Sequence, residues 1–243
     1  MTGRLQVGDV VGKVWRIYVD QAPVLMPAAA VVFALSGIVA AVLVSIGSLG
    51  AVLLAEVIVI VSGMLFTAMV VELVADVQDG RRDSSPGQLL RAASPVLGQL
   101  IVVSLVAGVA ILVGVFLLVV PALILITIWA VFVPVLVLER PPGLGALARS
   151  RELVRGNGWQ VFGVLLLLFV VVGALSLVLA GVAASAGTAV GIVVRVVLGV
   201  LTQPLAALAA AVLYFDLLAL HGEPRPSGSR PSVDSPQDPF GTR

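Results

Sequence analysis

Six apolar stretches, each long enough to cross a bilayer, constrain this chain more than any other feature. A spanning helix needs about 20 mainly apolar residues, because the hydrocarbon core is about 30 Å thick and each helical residue rises about 1.5 Å. Residues 23–46, 51–77, 96–118, 121–138, 159–184 and 189–220 meet that requirement. The composition fits: 60% hydrophobic and 11% charged, against about 45–50% and about 25% in soluble domains. A soluble protein of 243 residues could not hide so much apolar surface. The expected fold is all-α: a polytopic membrane protein with six transmembrane helices and interfacial elbow helices on the cytoplasmic side. Three regions follow: an amphipathic interfacial helix at 1–22, a six-helix domain at 23–220 and a disordered cytoplasmic tail at 221–243.

The cations alternate with the spans. Arg4, Lys13 and Arg16 precede the first. Arg81, Arg82 and Arg91 lie between the second and third. Arg140, Arg149, Arg151 and Arg155 lie between the fourth and fifth, and Arg225, Arg230 and Arg243 follow the sixth. Arg195 alone falls elsewhere. Short loops rich in Lys and Arg stay cytoplasmic, so both termini are expected inside. Arginines outnumber lysines 13 to 1, a bias expected of GC-rich coding, and the predicted location is a bacterial plasma membrane. No cleavable signal peptide is expected, since charged and aromatic residues fill the first twenty positions. The outer connections span only a few residues, so any protein partner is expected on the cytoplasmic face. Membrane lipid is the other expected partner, and nucleic acid is not.

Residues 7–20 show the cleanest amphipathic pattern. At about 100° per residue, Val7, Val10, Val11, Val14, Trp15, Ile17 and Tyr18 share one arc, with Asp9, Lys13, Arg16 and Asp20 opposite. Trp15 and Tyr18 are expected interfacial aromatics. The apolar arc is expected in lipid or against the bundle. Ser85-Pro86-Gly87-Gln88 has capping-box spacing ahead of a second short helix. Residues 144–155 suit a third, buried between spans or floated on lipid. Each short helix precedes two spans, which suggests a threefold elbow-plus-hairpin unit.

No Cys occurs, which excludes disulfides, thiol catalysis and Cys-ligated metals. His221 is the sole histidine. No cofactor, metal site or enzymatic activity is expected. Glu72 and Asp76, four apart, are the remaining candidates for intramembrane chemistry. With Asp216 they form a possible inner-face charge cluster that could pair with Arg149, Arg151 or Arg155, or end in solvated helix termini. Glu56 lies about six residues into the second span and Arg195 about seven into the sixth. Charges inside spans are costly, and the matched depths suggest an ion pair. Gly108, Gly114, Gly173, Gly181, Gly191 and Gly199 would allow close helix approach. The expected role is a non-catalytic membrane module that binds a protein partner or lipid. A small transporter or channel is the alternative, but polar residues along the spans are sparse.

The third loop carries a more specific pattern. Leu138-Glu139-Arg140, then Arg149-Ser150-Arg151-Glu152-Leu153-Val154-Arg155-Gly156, then Trp159-Gln160-Val161 resembles the membrane domain of the glycerophosphoryl diester phosphodiesterase membrane-domain family. Leu213-Tyr214-Phe215-Asp216-Leu217 resembles that family's last-span motif. The resemblance extends over about residues 5–220 and marks Glu139, Arg149, Ser150, Arg151, Leu153, Arg155, Gly156, Trp159, Tyr214 and Asp216 as motif positions. This chain departs after Asp216, where members continue with a basic residue and this chain has Leu218. No segment outside the spans is long enough for the family's soluble phosphodiesterase domain, so the resemblance implies a membrane module rather than an esterase.

Overall fold

The computed structural model describes residues 5–78, 97–117, 119–186 and 188–224. Every regular element among them is helical: α1 (Val7–Ser45), α2 (Leu49–Gln78), α3 (Leu97–Leu117), α4 (Val119–Ile128), α5 (Phe132–Leu138), α6 (Gly145–Val154), α7 (Gly158–Ala186) and α8 (Thr188–His221). Six segments are long and apolar enough to cross a membrane: Ala22–Ser45, Leu49–Ala75, Gly98–Val115, Val119–Leu138, Gly158–Gly181 and Val193–His221. The chain is an all-α polytopic membrane protein. The expected spans match these within a few residues at most ends.

The first boundary differs from expectation. α1 is one continuous helix of 39 residues, with no break between the amphipathic stretch and the span. Nothing around Asp20-Gln21-Ala22 supplies the left-handed glycine that commonly ends a helix. Pro23 and Pro27 lie inside α1; a proline removes one amide bond and bends a helix without having to end it. The amphipathic stretch is docked on the bundle: Val10 and Val14 are buried, and a Val7 methyl sits 3.3 Å from where a Cβ on Gly163 would stand. α1 ends at Gly47, whose φ of +74° turns the chain, and the Ser48 hydroxyl accepts the Ala51 amide at 3.2 Å, capping α2.

α1, α2 and α8 pack mutually and form the centre of the core, with Leu25, Phe33, Phe66, Val70 and Leu208 buried among them. Two glycines permit the approach of α1 to α8. A Cβ on Gly37 would fall 2.8 Å from a Val196 methyl, and one on Gly199 would fall 3.2 Å from the Phe33 ring. Phe33 meets Phe66 of α2 edge to face at 5.5 Å. α8 runs unbroken through Pro204. Of the other glycines expected at close approaches, Gly114 faces Ala122 across the α3–α4 hairpin at 3.1 Å, whereas Gly108, Gly173, Gly181 and Gly191 face open space.

The fourth span is not a single helix. It divides into α4 and α5 around Trp129–Val131. Pro134 lacks an amide and crowds the carbonyl four residues earlier, that of Ala130, which places the disturbance there. The third elbow, α6, is a separate helix tucked into the bundle, with Ala146, Leu147, Ser150, Leu153 and Val154 buried. Gly156, at φ +91°, ends it and lets α7 start in a new direction. The suggested threefold unit is therefore unequal: its first elbow is continuous with its span, and its third is not. The second elbow, with Arg81, Arg82, Arg91 and the Ser85 capping box, lies outside the described residues.

Candidate functional site

α6 is held from two sides, and both attachments begin with adjacent residues of the third-loop motif. The first is Ser150, which is fully buried. Its hydroxyl donates to the Ile128 carbonyl at 2.9 Å and accepts the Val131 amide at 3.3 Å. At the α4–α5 break, Phe132 N–H turns back to Trp129 and Ala130 N–H to Thr127. Ile128 O and Val131 N–H thereby lose their ordinary helical partners. A buried backbone group left unpaired is costly, and inside a bilayer neighbouring helices and hydroxyl side chains re-satisfy such groups. Ser150 does this for both.

The second attachment is Arg149. Its Nε donates to Glu139 Oε2 at 3.0 Å, its Nη1 lies 3.5 Å from Glu152, and its Nη2 binds Glu223. Glu139 also accepts the Tyr214 hydroxyl at 2.9 Å through its other oxygen. Tyr214 itself is fully buried. One carboxylate at the end of α5 thus ties the elbow to α8. The Glu223 carboxylate, then desolvation working against it, and Glu139 set the Arg149 guanidinium, with the net effect of raising its ionisation above the ordinary arginine range. It stays charged at any physiological pH. Arg140 follows at φ +50°, a left-handed conformation uncommon without glycine. Its amide reaches the Val135 carbonyl and closes α5. Gln99 of α3 completes the surround, donating to the Pro141 carbonyl and to the Gly143 carbonyl at 2.9 Å.

The motif positions therefore divide. Glu139, Arg149, Ser150 and Tyr214 converge, and Leu153 is buried beside them in the core. Arg151, Arg155 and Trp159 are exposed, and Gly156 supplies the turn. Asp216 does not join the elbow arginines, one of the two arrangements open to the possible charge cluster. It pairs with Lys13 of α1 at 2.6 Å, because α1 continues past the span and reaches the end of α8. Glu72, on α2, is buried and has an interaction partner. The Asp76 side chain lies outside the described residues. Glu56 and Arg195 do stand together, at 3.3 Å, with both side chains largely exposed on the bundle surface. Trp15 is exposed and stacks on Tyr18 at 5.8 Å. Tyr18 donates to the Leu201 carbonyl at 3.3 Å, close to Pro204, and burial raises its phenol.

Three participants escaped sequence reasoning. Gln99 had no signal beyond being polar near a span end. Lys13 falls on the polar arc of the amphipathic stretch, which carries no mark of a distant partner. Glu223 had been assigned to the tail; instead α8 runs to His221, whose Nδ1 lies 2.8 Å from the Leu217 carbonyl, and Glu223 turns back onto Arg149. The disordered tail expected beyond it falls, from residue 225, outside the described residues.

Among the described residues no group of His, Cys, Asp or Glu could hold a metal ion. Chemically, the arrangement at α6 is a set of satisfied hydrogen bonds and ion pairs. Comparison with protein-family models, with curated proteins and with solved structures finds no match to this chain.

Proposed function

We propose that this protein is a non-catalytic membrane module, acting by binding a lipid or a protein partner at the end of the bundle where α6 lies. One observation carries the reading. The polar groups that converge at α6 are spent on one another, and they clamp a short helix whose outer side presents Arg151 and Arg155. A clamped elbow with an exposed cationic side is suited to presentation rather than to turnover. The positive-inside rule supports a cytoplasmic side for that end and for both termini. The arginine-rich composition supports a bacterial plasma membrane. The motif resemblance to the glycerophosphoryl diester phosphodiesterase membrane domain supports the same reading, since it covers the membrane module alone.

Native mass spectrometry after gentle extraction tests this. A stoichiometric protein or one retained lipid species is the expected result. A bare monomer that supports solute flux in liposomes would replace this reading with the transporter alternative.

A further inference from the structure

A groove of about 490 Å³ opens between α4 and the start of α7, lined by Val120, Leu123, Ile124, Thr127, Trp159 and Phe162, among others. Its size falls within the range of about 300–1,000 Å³ typical of ligand sites. Its walls are almost wholly apolar. Gly156 and Gly158 form one border, and Gly156 directly follows Arg155, the residue that closes α6. Arg151 lies one turn earlier, and residues four apart share a helix face. Both guanidiniums are exposed, and among the described residues neither has a carboxylate within 4 Å. The nearest acid in sequence, Glu152, pairs with Arg149 instead. Trp159 borders the groove and is 84% exposed.

We propose that this groove seats an acyl chain of one anionic glycerophospholipid whose phosphate is held by Arg151 and Arg155. Charge complementarity selects the occupant. Guanidinium binds phosphate through paired, charge-assisted hydrogen bonds, and basic recesses beside spanning helices receive anionic headgroups. A neutral ligand would leave unmet two guanidiniums that have no carboxylate among the described residues, one of them adjacent in sequence to the Gly156 border. The contrast is the cavity of about 350 Å³ bordered by Arg195, where Glu56 already neutralises the cation. The indole of Trp159 suits the headgroup level, where Trp is enriched. This inference rests on the partner-binding reading and names the ligand class for it.

The test compares wild type, R151Q/R155Q and I124W in detergent by native mass spectrometry. Each is titrated with phosphatidylglycerol and with phosphatidylcholine. Ile124 is half exposed on the groove wall, so tryptophan there obstructs the groove without entering the core. Wild type is expected to retain one phosphatidylglycerol, with at least a tenfold preference over phosphatidylcholine. R151Q/R155Q should lose the preference, and I124W should lose retention of both lipids. Equal binding of the two lipids by wild type, or an unchanged preference in R151Q/R155Q, overturns the site. If both variants still retain one phosphatidylglycerol, this site falls and the partner-binding reading stands. If wild type retains nothing stoichiometric, both fall.

Discussion

Ser150 and Ser104 are both buried hydroxyls, and they should behave oppositely on removal. Ser150 serves a carbonyl and an amide that the break in the fourth span exposes. Ser104 Oγ has no hydrogen-bond partner among the described residues. Deleting one partner of a buried hydrogen bond leaves the other unsatisfied, at about 1–3 kcal/mol. S150A is therefore expected to lower the thermal midpoint in detergent, and S104A to leave it level or raise it. Equal loss in both would refute the bridging role. The Arg149–Glu139 pair is only partly exposed, at 25% and 23% of its side-chain surfaces. A double-mutant cycle with R149Q and E139Q should show coupling of about 0.5–3 kcal/mol. Additive losses would mean that the two residues act independently. The motif marks Glu139, Arg149, Ser150 and Tyr214, but only as positions. That Ser150 serves backbone, and that Glu139 reaches both α6 and α8, depends on where the fourth span breaks. Pro134, the residue behind that break, implies from sequence that a neighbouring helix satisfies the freed backbone groups, but not that Ser150 is the side chain that does so.

Among the elements, α1 departs most from its sequence reading. Its first fourteen residues carry a clean amphipathic period, which is compatible equally with a floating helix and with a docked one. Only the neighbours decide, and the α7 and α8 surfaces take Val10 and Val14 out of contact with lipid. The seam between α1 and α8 is tightest at Gly37, where a Cβ would stand 2.8 Å from Val196. Overpacking a close seam costs about 1–3 kcal/mol. G37V should lower the thermal midpoint and weaken the α1–α8 contact, whereas G108V, facing open space, should not. A disulfide-crosslinking pair placed across the seam, tested with and without G37V, reads the separation directly. Undiminished crosslinking in G37V would show that the seam is not close-packed in the membrane.

For the whole molecule, six crossings require that successive connections lie on opposite sides. The chain has no cysteine, so single replacements report cleanly. Leu49, at the start of α2, and Leu144, before α6, are both exposed. In intact cells L49C should react with an impermeant maleimide, and L144C should react only after permeabilisation. Labelling of both from the same side would break the six-span alternation, and the reverse pattern would invert the orientation.

Sequence alone determined the number and approximate ends of the spans, and the segregation of cations into alternate connections. The cost of placing a residue in hydrocarbon or at its edge is local, so it sums along the chain without reference to neighbours. The depth match between Glu56 and Arg195 was legible for the same reason, because depth is a count along a helix. Partner choice was not legible. Helices apolar on every face carry no periodic mark of which side meets which. Lys13 finds Asp216 across 203 residues, and Arg149 finds Glu223 across 74. Those pairings exist only because α1 outruns its span, the fourth span breaks between α4 and α5, and α8 extends to His221, and only the folded bundle sets those three conditions at once.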